Sequence, residues 1–225
     1  MAGFLSLPVL AEGESWKELN SQTSDLMYNK KFAEAIEPAK KTVDAATKEF
    51  GPEDPKTVSA MNTLAIAYKE SSDTADAEIY FKKVIGIREK ILGPEHKELA
   101  GPFENLANIY TSEGRFGEAE PLWVRALGLK KKAYGEDDPF VGATALRLAE
   151  VYKKQEKYSE AEPLYEQGLA MLAEAEYPDY KQLASVSRDL ADIYDKTARN
   201  TEAQELRESA NEALEKYDEI HRAES

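Results

Sequence analysis

Gly93 to Tyr110 reads GPEHKELAGPFENLANIY. The stretch returns as Gly51 to Tyr68, GPEDPKTVSAMNTLAIAY, and as Gly135 to Tyr152, GEDDPFVGATALRLAEVY. A looser copy runs from Tyr177 to Tyr194, YPDYKQLASVSRDLADIY. The closing tyrosines, 68, 110, 152 and 194, stand 42 residues apart without a gap. A fixed period of this length is the mark of an array of helical hairpins.

A second series runs beside the first. Ala35, Ala77, Ala119, Ala161 and Ala203 keep the same spacing of 42, each a few residues beyond a polar break such as Thr111-Ser112-Glu113-Gly114. Each unit therefore reads as helix, short turn, helix. The first helix carries Met61, Leu64, Ala65 and Tyr68, then Phe103, Leu106, Ala107 and Tyr110, the stripe of an amphipathic helix. The second carries Ala77, Phe81, Val84 and Ile85, then Ala119, Trp123, Ala126 and Leu127. Leu148, Ala149, Tyr152, Ala161, Tyr165 and Leu169 repeat the scheme. Alanine lets helix backbones approach, and Phe81, Trp123 and Tyr165 are expected to fill the space between hairpins as core. One hairpin cannot bury its own face, so stacking supplies the stability.

The connectors agree. Gly51, Gly93 and Gly135 suit a left-handed residue that closes a helix. Asp54-Pro55 and Asp138-Pro139 suit an N-cap followed by proline. His96 occupies the same slot and reads as a turn residue, not a ligand or base. Pro102, a turn into its helix, predicts a bend. Ser71-Ser72-Asp73-Thr74 lacks the glycine and aromatic of a typical inner turn. The first unit is degenerate (Leu19, Gln22, Thr23, Leu26, then Phe32 and Ala35), and Arg207 and Asn211 turn the last one polar, as the outermost faces of an array require. A closing helix is expected over about 201–220, with Ala203, Leu206, Ala210, Leu214 and Tyr217 on one side.

Composition narrows the function. Over 225 residues the formal net charge is −14, which argues against nucleic acid or an anionic membrane as the main partner, since both need clustered Lys and Arg. There is no cysteine, so disulfides and thiolate metal sites are excluded. No GxGxxG, phosphate-binding loop or HExxH occurs, and His96 and His221 are remote in sequence. The expectation is no enzyme, no cofactor and no metal. Residues 2–11, AGFLSLPVLA, are apolar and resemble a secretory signal core ending at Val9-Leu10-Ala11, although no basic residue precedes Lys17. A trimmed leader behind an added Met1 is the preferred reading; a tail packing on the first helices is the other. The first implies an exported, periplasmic or lumenal protein, the second a cytoplasmic one.

The Leu-Ala pair, the Tyr, the Phe or Tyr ahead of Ala, the inner Ala and the following aromatic resemble the tetratricopeptide repeat. The usual unit is about 34 residues. The longer period here, with Ile87-Arg88-Glu89-Lys90-Ile91-Leu92-Gly93-Pro94-Glu95-His96 and Ala161-Glu162-Pro163-Leu164-Tyr165, resembles the subfamily of kinesin light chain. The resemblance implies an all-α fold, a right-handed α-solenoid of about five helix-turn-helix repeats. The expected division is an apolar segment 1–13 and one domain 14–225, with repeats near 14–50, 51–92, 93–134, 135–176 and 177–222.

It further implies a non-catalytic module that binds a protein or peptide segment in a concave groove lined by first helices, as an adaptor or assembly factor. The alternative is a scaffold that self-associates through its ends or through residues 1–11. By helical wheel, the groove candidates are Asn20, Ser24, Asn62, Lys69, Asn105, Asn108, Arg147, Lys153 and Arg188. Asn105 and Asn108 lead the set, because a carboxamide donates and accepts together and so suits a peptide backbone. Ile66, Glu104, Thr111, Glu150, Asp192 and Asp195 point the same way. Members of this family that clamp a carboxylate tail use paired Lys and Asn, and the first hairpin, with Asn20 and Ser24, lacks that Lys. Kinesin light chain reads acidic tryptophan-bearing peptides with basic side chains, and Arg147, Lys153 and Arg188 are diluted by Glu150, Asp189 and Asp192. The overall charge favours a neutral or basic partner, and the expected state is a monomer or weak homo-oligomer.

Overall fold

The computed structural model describes residues 15–223. The apolar segment 1–13 and its reading as a leader remnant lie outside them. The described residues form ten α-helices and no strand. They pair as hairpins: α1 (Trp16–Tyr28) with α2 (Phe32–Phe50), α3 (Pro55–Glu70) with α4 (Thr74–Leu92), α5 (Ala100–Ser112) with α6 (Phe116–Tyr134), α7 (Pro139–Lys154) with α8 (Tyr158–Ala173), and α9 (Tyr180–Lys196) with α10 (Asn200–Ala223). This is the all-α solenoid class that the period implies. The chain divides into two compact units, the first ending at Gly93 and the second beginning at Pro94. Within the first, α2 packs on α3; within the second, α6 packs on α7 and α8 on α9.

The alanine columns explain the close approach. Ala35, Ala77, Ala119, Ala161 and Ala203 are all fully buried. Phe81, Trp123 and Tyr165 are buried as well, the large side chains of α4, α6 and α8 in that column. In the degenerate first hairpin, Thr23 and Thr42 stand where neighbours are apolar. Their hydroxyls meet at 3.1 Å, so a buried polar pair replaces an apolar contact.

The turns correct the sequence reading. The connector glycines Gly51, Gly93 and Gly135 have φ of 86–95° but ψ of 158–164°. This is the extended mirror region, which is essentially glycine-only, and not the left-handed helical region. The left-handed residues sit in the inner turns instead: Lys30, Ser72, Gly114, Glu156 and Ala198, with φ between 56° and 72°. One of these five is glycine. Each turn closes with the same bond, the next residue's N–H donating to the carbonyl of the stripe residue five back, as in Asp73 to Tyr68 at 2.9 Å and Arg199 to Tyr194 at 2.7 Å.

Pro102 is accommodated differently from the expected bend. A 3-10 turn over Lys97–Leu99 precedes α5, which starts at Ala100. Pro102 thus falls in the first turn, where no N–H is needed. His96 caps that 3-10 turn, its Nδ1 accepting from the Glu98 N–H at 3.4 Å. Asp54, Asp138 and Asp179 cap α3, α7 and α9.

One departure from periodicity matters most. Helices α2, α4 and α6 each run 19 residues to a connector glycine, whereas α8 runs 16 and stops at Ala173. The slot of Gly135 is filled there by Tyr177. A tyrosine cannot take the glycine-only conformation, so the helix ends a turn early and residues 174–179 cross to α9 as a loop.

Candidate functional site

The nine groove candidates fall into the two units. In the first, Asn20 is half-buried and Ser24 turns its hydroxyl back to the Asn20 carbonyl at 2.8 Å. Asn62 is half-buried, with a carboxamide oxygen that has no partner. Lys69 pairs with Glu70 at 3.0 Å.

In the second unit the candidates are more committed than a helical wheel suggests. Asn105 donates to the carbonyl of Gly101 at 3.1 Å, one turn back on its own helix. Asn108 is exposed. Arg147 pairs with Glu150 at 3.4 Å, and Arg188 donates to the Asn211 carboxamide oxygen at 3.2 Å. Lys153 is held between Asp189 at 2.8 Å and Asp192 at 2.9 Å. Burial draws the Lys153 ammonium down in pKa, but its hydrogen bonds to Asp189 and Asp192 outweigh this and leave it raised. The polar end column continues the lattice, with Arg207 bound to Asp195 and 3.6 Å from Asp192. Arg147 and Lys153 are therefore ion-paired in place, and Arg188 keeps its charge while bonded to a neutral carboxamide.

What α7, α8 and α9 do form is a cavity of about 520 Å³, with Arg147, Glu150, Ser185 and Asp189 at its edge and Tyr165 in its wall. Tyr165 is 2% exposed, and its hydroxyl has no hydrogen-bond partner. The repeat explains why. In the preceding hairpin, Trp123 occupies the same column and its indole N–H donates to Thr111 at 3.1 Å. The residue 42 positions after Thr111 is Lys153, which the two aspartates hold. Tyr165 keeps the ring and loses the partner. Burial pushes its hydroxyl far above the usual tyrosine range, with Asp189, Glu150 and Asp192 adding to the effect and Arg147 opposing it. The group stays protonated, a donor without an acceptor.

A second cavity of about 620 Å³ shares Ala143, Leu146 and Gln182 with the first. It lies where α8 stops early, and its walls include Pro139, Met171 and Leu172. Met171 and Leu172 are left half-exposed, whereas Leu129, in the column of Met171, is buried in α6.

Sequence reasoning missed a further set. Arg115, Lys157 and Arg199 keep the period of 42 and lie over Tyr110, Tyr152 and Tyr194, at 3.9, 5.6 and 3.7 Å from the ring centroids. Lys157 also reaches Glu120 at 2.6 Å, and Arg199 reaches Glu162. Lys157 and Arg199 thereby tie their inner turns to the hairpin before, whereas Arg115 pairs with Glu113 and Glu118 of its own hairpin. The spacing was visible in the sequence; the reach across hairpins was not.

The tetratricopeptide repeat model matches residues 24–90 and 98–174, well over half of the chain. The chain belongs to the tetratricopeptide repeat family. No curated protein matches it. Among solved structures, the kinesin-light-chain-type protein of Podosopora anserina with nearly identical TPR-like repeats is 24% identical, at a TM-score of 0.73, over 89% of this chain and 95% of that one. BtubC (BKLC) from P. vanneervenii is 18% identical, at 0.76, over 90% of this chain and 80% of that one. MamA from Desulfovibrio magneticus RS-1, from residue 41 to its end, is 13% identical, at 0.70, over 92% and 99%. These likenesses establish a fold of the kinesin-light-chain-like kind. Repeats of this family serve as protein–protein interaction or scaffold modules, and the match indicates no enzyme family. Among the described residues, no helix is long and apolar enough to cross a membrane.

Proposed function

We propose that this tetratricopeptide repeat protein is a non-catalytic adaptor or assembly factor that holds an extended segment of a partner protein against α7 and α9. The observation that carries the reading is the buried, partnerless hydroxyl of Tyr165 in the wall of the cavity between those helices and α8. A buried donor without an acceptor costs about 1–3 kcal/mol. A peptide carbonyl entering the cavity supplies the acceptor. Gln182 and Ser185 add groups that both donate and accept, which suits a backbone, and Asn108 and Arg188 extend the polar surface along the first helices.

The test is isothermal titration of peptides selected from a random phage-displayed library against the full chain. Tyr165→Phe and Asn108→Ala/Arg188→Ala are each expected to weaken binding about fivefold or more while circular dichroism stays unchanged. Binding indifferent to both, or a library that yields no binder beside a concentration-dependent mass in light scattering, overturns the reading; the second result favours a self-associating scaffold.

A further inference from the structure

We infer that the 620 Å³ cavity beside the early end of α8 is an anchor pocket for an apolar side chain of the partner, with a basic residue next to it in the partner's sequence. The inference rests on the peptide-holding reading and specifies which peptide. Three observations carry it.

First, the cavity is built by a sequence change. Tyr177 replaces the connector glycine, α8 loses its last turn, and Met171 and Leu172 are left half-exposed on the wall. Pro139, Ala143 and Leu146 of α7 face them across the opening. Such a pocket is large enough for one or two side chains and is apolar where they would rest.

Second, the charges around it have one sign. Asp137 and Glu174 are the charged residues of this cavity, both exposed, and no Lys or Arg lines it. Asp179, at the edge of the adjoining cavity, is spent on capping α9, where it accepts from the Gln182 N–H at 3.0 Å. An acidic rim over an apolar floor selects a cation beside a hydrophobe and disfavours an acidic peptide.

Third, the pocket adjoins the Tyr165 cavity, the two sharing Ala143, Leu146 and Gln182 in their linings. An apolar side chain seated among Leu146, Met171 and Leu172 carries its backbone toward the unpaired hydroxyl. One short segment then satisfies both cavities: the side chain fills one, and a carbonyl in the other accepts from Tyr165.

The experiment is the same library selection on the full chain, read by sequence. The expected binders share a Leu, Ile, Met or Phe with a Lys or Arg within two residues. Ala143→Trp plugs the pocket from an exposed position on α7, and Ala170→Trp does so from exposed α8. Either is expected to lower affinity about tenfold or more, with helicity retained. Asp137→Lys/Glu174→Lys is expected to weaken binding more at low salt than at high. Acidic or wholly polar consensus peptides overturn the inference. So does binding that survives both tryptophan variants. If that binding is still lost with Asn108→Ala/Arg188→Ala, the peptide-holding reading stands and the pocket assignment fails. If no peptide is selected, both fail.

Discussion

Replacing Tyr165 with phenylalanine separates the two roles of the residue. The ring is core, 2% exposed, and stays in place in Tyr165→Phe. The hydroxyl has no partner, so its removal takes away a desolvated polar group and no hydrogen bond. An unsatisfied buried group costs about 1–3 kcal/mol, so the variant is expected to be more stable by about 1 kcal/mol. Alkaline pH enlarges the gap. Burial raises the hydroxyl's pKa in the folded chain, with Asp189, Glu150 and Asp192 contributing. A raised folded pKa means full stability below the unfolded value of about 10 and loss above it. Above pH 10 the unfolded tyrosine ionises and the folded one does not. The wild-type chain therefore loses up to about 1.4 kcal/mol per pH unit through this one group, and Tyr165→Phe does not. Urea unfolding followed by Trp123 fluorescence reads the second unit if Trp16, which belongs to the first, is replaced by phenylalanine in both proteins. Repeat arrays can unfold in steps, so the midpoint of that one probe is the quantity compared. A variant less stable than wild type by about 1 kcal/mol or more would show that the hydroxyl is satisfied, and one whose advantage does not grow above about pH 10 would show that the hydroxyl reaches water; either result removes the ground for the binding site.

Further outcomes follow from the packing and the turns. Gly168→Ala is expected to destabilise by about 1–3 kcal/mol, because a Cβ there runs into the Leu146 side chain. Gly128→Ala, on an open face of α6, is expected to stabilise by about 0.5–1 kcal/mol in the same urea assay. Ala198→Gly relieves a left-handed alanine, φ 62°, and is expected to raise the melting temperature in a calorimetric scan. The hydrogen bond from Lys157, opposed by desolvation and aided by Gln155, holds the Glu120 carboxyl below its ordinary 4.5. Its contribution is present above about pH 4.5 and lost as pH falls through the folded value, so Lys157→Met is expected to flatten the acid limb of stability against pH. The effect is small, because both side chains are partly exposed.

The architecture was legible because it repeats. Helices and alanine columns follow from residues set 42 apart, the caps Asp54 and Asp138 fall in one column of that period, and Phe81, Trp123 and Tyr165 are buried as their column implies. The groove was legible as a set of positions and not as a set of available groups. A helical wheel places Lys153 outward but cannot see Asp189 and Asp192, which come from another helix. It places Asn105 outward but cannot see its carboxamide turn back to Gly101. The connector glycines were read with the right sign of φ and the wrong region, since ψ is set by how each helix leaves its hairpin. The cavities were hidden for a different reason. They arise where the pattern fails, at Tyr177 and at the missing partner of Tyr165, and a period directs attention to what agrees with it. The absence of glycine at 177 was on the page; its consequence, a helix one turn short, needed the neighbouring hairpin to give it meaning.

The most direct test of a peptide site on α7 and α9 is amide hydrogen exchange of the full chain with and without a selected peptide. Protection is predicted in residues 139–150, in the loop 174–179 and in 180–192, and it should disappear in Ala143→Trp. Protection confined to α1–α4, or to the exposed side of α10, would contradict the account.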